Sequence, residues 1–250
     1  MAYDVALFTT CLINQTYPSV GVAVTKILEH FGCSVHVPDS PQCCGRPLYA
    51  NGYHEQAMEL AKPIIEAFEH YDYVITPSAD CCAMLREHYP RLFRGDIGWE
   101  RGMRKVGRST YEFVEFLDKV LKVDFSLLKL PQRESVTYHP SCLGRGIRSQ
   151  SETERLLREI RNLDYRPMAC ANQSCGSDSV FALNHPAISG AIAEEALGNI
   201  AATGASTVIC DEAECVMNFS GLYHRRGTHT KVKHIAELIA EGLKIDATRW

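Results

Sequence analysis

The side chains of this sequence best equipped to do chemistry are its cysteines, and their spacing is distinctive. The stretch "SPQCCGRPL" (residues 40–48) sets two thiols side by side ahead of a glycine. Joining vicinal cysteines to each other strains the peptide between them, so Cys43 and Cys44 need partners elsewhere. Cys11 lies 31 intervening residues before the pair, and Cys81-Cys82 lies 36 intervening residues after it. If the three loops carrying these residues converge, four or five thiolates meet in one place. Thiolate is a soft donor suited to iron–sulfur clusters, zinc or cuprous ion. Zinc sites usually rest on short cysteine knuckles. The closest non-adjacent cysteines here, Cys170/Cys175 and Cys210/Cys215, are each separated by four residues. A vicinal pair suits a multi-iron cluster better, because neighbouring thiolates can each take a separate iron. Gly45 would let the backbone pass close to the metals.

The pattern is written twice. "DVALFTTC" ends at Cys11 and "SVTYHPSC" at Cys142, 131 residues later. The same offset carries Cys43, Cys44 and Gly45 onto Ser174, Cys175 and Gly176. Further on, "YDYVITPSADCCAM" matches "ASTVICDEAECVMN" with three extra residues, pairing Cys81 with Cys215. The chain therefore reads as an internal duplication.

The elements needed to position these cysteines follow from local pattern. "VALF", "SVHV", "YVIT" and "STVIC" read as strands. Val20, Val24, Ile27, Leu28 and Phe31 keep helical spacing, with Gly32 placed as a C-cap. Residues 54–69 read as a helix broken at Pro63. Ser109 with Glu112, and Ser151 with Glu154, read as caps for the helices that follow. Residues 187–202 and "VKHIAELIAEGL" read as further helices. Strands alternating with helices define an α/β class, here two tandem similar modules with mainly parallel sheets. The expected division is a first module at 1–122, a linker at 123–134 and a second, degenerate module at 135–250. Sites in such folds gather at the C-terminal ends of strands, where Cys11, Cys81, Cys142 and Cys210 fall.

Composition narrows the function. Of 250 residues, 46% are hydrophobic and 22% charged, and the net charge of −4 gives no electrostatic basis for binding nucleic acid or anionic membrane. "MAYDVALFTT" has no basic leader, and no window has the uncharged apolar length of a transmembrane span. A cytoplasmic protein is expected, in which eleven cysteines serve metal or redox chemistry rather than disulfides. No glycine-rich phosphate loop and no Ser-His-Asp arrangement is legible.

The combination of "TTC" (9–11), "CCG" (43–45), "TPSADC" (76–81), "YHPSC" (138–142), "FALNHPAIS" (181–189) and "CVMNFSGLYHRRG" resembles the CCG cysteine-rich iron–sulfur family. That family includes iron–sulfur subunits of lactate-utilisation and glycolate oxidase complexes and the cysteine-rich subunit of heterodisulfide reductase. "YHPSC" and "HIAEL" look closest to the lactate-utilisation branch. The resemblance implies an electron-transfer subunit of an oxidoreductase complex oxidising a small 2-hydroxy acid. Its partners would be ferredoxin-like iron–sulfur or flavin subunits. Cys11, Cys43, Cys44 and Cys81 would hold one cluster, of 4Fe-4S type, in the first module. Cys142, Cys175 and Cys215 occupy the matching places in the second, where Ser174 stands for a cysteine. That module is one thiolate short: Cys170, Cys210, a serine oxygen or a bound group could complete it, or the cluster could be lost. Two other functions stay open: a heterodisulfide-reductase-like thiol or disulfide reductase, and a zinc or thiol interaction module without redox work. Against the reductase stands Met84, where that branch carries a cysteine.

The remaining candidates have plainer readings. Cys33, Cys170 and Cys210 read as structural, and Cys82 as a core or spare thiol rather than a fifth ligand. His139 reads as a strand-end histidine satisfied by backbone. His224, His229 and His234 read as surface or core, and "RRG" (225–227) as a solvated turn.

Overall fold

The computed structural model describes residues 3–41, 43–142 and 149–247. Strands β1 (Tyr3–Leu7), β2 (Cys33–His36), β3 (Tyr73–Thr76) and β4 (Thr110–Glu112) form one parallel sheet in the order β2-β1-β3-β4. Strands β5 (Lys129–His139), β6 (Arg161–Tyr165), β7 (Thr207–Cys210) and β8 (Lys231–His234) form a second in the order β6-β5-β7-β8, also parallel throughout. The two sheets have the same topology, so the expected duplication of an α/β module is the architecture observed.

Helices α1 (Cys11–Thr16), α2 (Pro18–His30), α3 (Arg46–Ala50), α4 (His54–Phe68) and α5 (Ala79–Ala83) connect the first strands. A π-helical turn at Met84–His88 leads into α6 (Tyr89–Leu92), then α7 (Ile97–Ser109) and α8 (Phe113–Lys119). The second half carries α9 (Ser149–Glu159), α10 (Ser179–Asn184), α11 (Pro186–Ala202), α12 (Ala213–Arg226) and α13 (Ile235–Leu243).

The apolar stripe of α2 explains how the halves are held. Val20, Ala23, Val24 and Ile27 are fully buried and share one core with Ile235, Leu238 and Ile239 of α13. Phe116 and Leu117 of α8 join Leu156 and Leu157 of α9 in the same core. Each buried valine, leucine, isoleucine or phenylalanine among these contributes roughly 1.5–3 kcal/mol by leaving water, and here that burial crosses from one module to the other. The outer face of the first sheet is covered by α4 and α7, with Ile64, Ile65, Phe68 and Val106 against Val74. The outer face of the second is covered by α11 and α12, with Leu197, Ile200 and Phe219 against Val208.

Four local expectations are corrected. Helix α4 runs through Pro63 without a break. Pro63 lies on the exposed face, as does Glu59 one turn earlier, so the carbonyl that loses its N–H partner can be served by water. Ser109 ends α7 instead of starting a helix, and its hydroxyl donates to Lys105 O at 2.6 Å. Glu112 is the cap of α8, its carboxylate accepting from Val114 N and Glu115 N. Ser151 lies within α9, which already includes Ser149, and its hydroxyl donates to Glu152 rather than capping. In "VKHIAELIAEGL" the first three residues belong to β8, and the helix begins after His234. Within 123–134 the chain forms a 3-10 turn at Phe125–Leu127, with Phe125 fully buried, and then enters β5.

Candidate metal centres

In both sheets the chain reverses its direction of winding between the first and third strands of the module, and the crevice at that switch point is where α/β folds build sites. Cys11 follows β1 directly. Thr10 before it adopts φ 66, ψ 156, a backbone region that costs a non-glycine residue about 1–3 kcal/mol. Cys43 and Cys44 sit in the loop after β2, closed by Gly45 at φ 82. Tyr89, fully buried, donates its hydroxyl to Cys44 O at 3.0 Å and pins that loop. Cys81 lies in the first turn of α5, where Ser78 caps the helix by accepting from Cys81 N at 3.1 Å.

The structure brings all four thiols together. Cys11 lies beside Cys43 and Cys44 beside Cys81, each pair close enough for one thiol to act on the other. The neighbouring Cys11 thiol pulls Cys43 down to about 6, while Cys43 and burial push Cys11 up. These four residues line a cavity of about 170 Å³, to which Arg46 and Glu212 also contribute. Glu212 belongs to the second module, so the first centre is completed from across the duplication.

The second centre repeats this frame. Cys142 follows β5, Ser174 and Cys175 precede Gly176 at φ 83, and Cys215 lies in the first turn of α12. Cys215 Sγ donates to Cys175 Sγ at 3.0 Å, and that hydrogen bond lowers the Cys175 thiol to about 7. Ser174 lies beside Cys142 and acts to lower its thiol, while burial pushes that thiol up the more strongly. Asn218 Nδ2 donates to Cys175 O at 2.7 Å, the part Tyr89 plays for Cys44.

A buried polar seam joins the centres. Ser78 Oγ donates to Glu212 Oε2 at 2.6 Å, and Asp80 N donates to the same oxygen at 3.2 Å. Ser141, beside Cys142, donates to Asp80, beside Cys81. Arg46 reaches Asp80 at 3.5 Å and Asp178 at 3.3 Å. Asp211 accepts from Tyr138 OH at 2.6 Å and Ser141 N at 2.7 Å. Burial pushes Asp211 up to about 6 and Glu214 to about 8, and raises Glu212 well above the carboxylate range. The acids therefore bring less negative charge to the sulfurs than their number suggests.

The other candidates do not line the first cavity, and of them Cys210 alone shares a core with cysteines of the second centre. Cys33 is buried in the α2 core, and burial lifts its thiol to about 11. Cys82 packs with Ala79 and Ala83, and burial pushes its thiol up against the opposing charge of Arg86. Cys170 is exposed, and Cys210 is buried with Val208 and Phe219. His139 is buried, its ring edge-on to Phe219 at 4.9 Å. His234 accepts from Ala236 N through Nδ1, so Nε2 carries the proton and donates to Pro77 O at 3.1 Å. Among the described residues, no three His, Cys, Asp or Glu side chains close around a point as a single metal ion requires.

Sequence reasoning missed the seam. Ser78 was legible as a serine three residues before Cys81, the spacing of a helix cap. Asp80, Glu212 and Arg46 carried no signal, because Glu212 and Ser141 meet Asp80 across the duplication and Arg46 meets Asp80 and Asp178 from a distant loop.

Two cysteine-rich α/β modules, each presenting thiols at its switch point, define the class. The chain belongs to the CCG cysteine-rich domain family, which matches residues 5–86 and 136–220. It is 39% identical over 237 residues to Lactate utilization protein A of Shouchella clausii (strain KSM-K16), covering 94% of this chain and 98% of that one. It is 38% identical to Lactate utilization protein A of Exiguobacterium sp. (strain ATCC BAA-1283 / AT1b), covering 96% and 98%. To Lactate utilization protein A 2 of Bacillus cereus (strain Q1) it is 35% identical at the same coverage. Among the described residues no helix is long and apolar enough to cross a membrane.

Proposed function

We propose that this chain is an iron–sulfur electron-transfer subunit of a complex that oxidises a small 2-hydroxy acid, lactate ahead of glycolate. The observation carrying this reading is the convergence of Cys11, Cys43, Cys44 and Cys81, from three loops, on one cavity at a switch point. Four soft donors with a vicinal pair fit a cluster of 4Fe-4S type. Cys142, Cys175 and Cys215 supply the second set. Such a group, when bound, takes up and releases electrons singly. The names of relatives matched over nearly their whole length support the lactate assignment.

The chain's own residues have definable work in this reading. Tyr89, Ser78 and Asn218 fix the cysteine backbones, so only the side chains need adjust. Seating a core of several irons requires the hydrogen-bonded thiols to rotate apart, and loading releases their protons. Arg46 is committed to Asp80 and Asp178. Recognition of the substrate carboxylate is therefore assigned to a partner, a flavin or ferredoxin-like iron–sulfur subunit. The reading places the protein in the cytoplasm and takes 1–122 and 135–250 as its modules, with 123–134 between them.

The test is anaerobic purification with iron, acid-labile sulfide and zinc assayed together. Iron and sulfide are expected in comparable amounts, reduced in Cys44→Ser and unchanged in Cys33→Ser. Zinc without sulfide refutes the cluster. Lactate-dependent acceptor reduction by the reconstituted complex is expected to collapse when this subunit is omitted; an unchanged rate refutes the role.

A further inference from the structure

The two centres share a backbone frame and differ in one donor. Their loop glycines have φ 82 and 83, the carbonyl of the cysteine before each glycine is held by a hydrogen bond, and Cys81 and Cys215 both open helices after the third strand of their module. Within that frame Cys43 of the first centre is replaced by Ser174 in the second. The Ser174 oxygen accepts from Gly176 N at 3.1 Å and lies beside Cys142, whose thiol it acts on, so it stands among the donors. Neither spare cysteine takes its place. Cys170 is exposed, and Cys210, though buried in the same core as Cys175 and Cys215, is the counterpart of Thr76, a sheet residue of the first module that does not line its cavity.

We infer that the second centre is a three-thiolate centre with the Ser174 oxygen at its fourth corner, and that one iron of its cluster is exchangeable. This rests on the iron–sulfur reading above. A neutral hydroxyl is a harder and weaker donor than thiolate, so the iron facing Ser174 is the first to leave and the one open to a small external oxygen or thiolate ligand. With ferricyanide as one-electron oxidant, a four-iron 2+ cluster gives a three-iron 1+ cluster, one ferrous ion and one electron, which reduces ferricyanide to ferrocyanide. Four all-thiolate corners, as in the first centre, hold their irons against this loss.

The experiment uses the full chain, reconstituted anaerobically and treated with one equivalent of ferricyanide. Released ferrous ion is measured with a chromogenic chelator, and the three-iron form by EPR. Two four-iron clusters hold about eight irons, of which the native chain is expected to release about one per chain and to develop the three-iron signal. Ser174→Ala is expected to do the same, because it also lacks a fourth thiolate. Ser174→Cys is expected to hold its full iron and give no signal. Cys43→Ser should make a second iron releasable. The inference is overturned if Ser174→Cys releases as much iron as the native chain, or if the native chain releases none. It is also overturned if Cys142→Ser leaves the iron content unchanged, since the second centre is then empty. The last result leaves the first centre standing, whereas an iron content unaffected by Cys44→Ser refutes the proposed function itself.

Discussion

Alanine at Gly176 and alanine at Gly45 are nominally the same substitution in the same loop of a duplicated module, yet the structure separates their costs. Both positions sit at φ just above 80°, where an L side chain costs about 1–2 kcal/mol. At Gly45 an added Cβ would meet Ala57 O and Leu60 Cδ2 at 3.6 Å, ordinary contact. At Gly176 it would meet Ser189 O at 2.5 Å and Ala193 N at 3.1 Å, both backbone atoms of α11. Ser189 also donates its hydroxyl to Gly176 O at 2.7 Å, so loop and helix cannot part without losing that bond. Overpacking of this kind adds about 1–3 kcal/mol. Gly45→Ala should therefore destabilise by about 1–2 kcal/mol and Gly176→Ala by about 2–5 kcal/mol. Urea unfolding of the metal-free, reduced chain, followed by far-UV circular dichroism, reads both. If Gly176→Ala proves as stable as Gly45→Ala, the close approach of the second loop to α11 is wrong, and with it the claim that the glycine is there for space as well as conformation.

Two further outcomes are expected. Burial drives His234 down to about 4 from its ordinary 6.5, so the folded state binds fewer protons, and stability is lost as pH falls from 6.5 towards 4. Asp211, raised to about 6, acts oppositely, its contribution falling as pH rises from 3.8 to 6. His234→Asn keeps a helix-capping oxygen and removes the first effect. Its stability relative to the native chain should improve by about 2 kcal/mol between pH 7 and pH 5, and a constant difference in unfolding free energy refutes the neutral buried imidazole. Tyr89→Phe removes the hydroxyl that pins Cys44 O. A loss of about 1–3 kcal/mol is expected, with lower iron uptake at the first centre; unchanged iron with unchanged stability shows the loop holds itself.

The sequence alone determined the family and the duplication, and it named the cysteines proposed as donors. Cysteine identity and spacing survive without coordinates, since Cys11, Cys44 and Cys81 keep their register with Cys142, Cys175 and Cys215 however the chain is drawn. Strands such as Tyr73–Thr76 and the stripe of α2 were legible because apolar periodicity is a local property. Short elements escaped: β4 is three residues long, and Glu112 caps α8 where Ser109 looked the better signal. What only the tertiary structure decided is the relation between the halves. The shared core of α2 and α13, the bond from His234 to Pro77, and the seam from Ser78 and Asp80 to Glu212 join residues more than 130 positions apart. Contacts of that kind depend on how two sheets dock, and no local pattern of side chains records it.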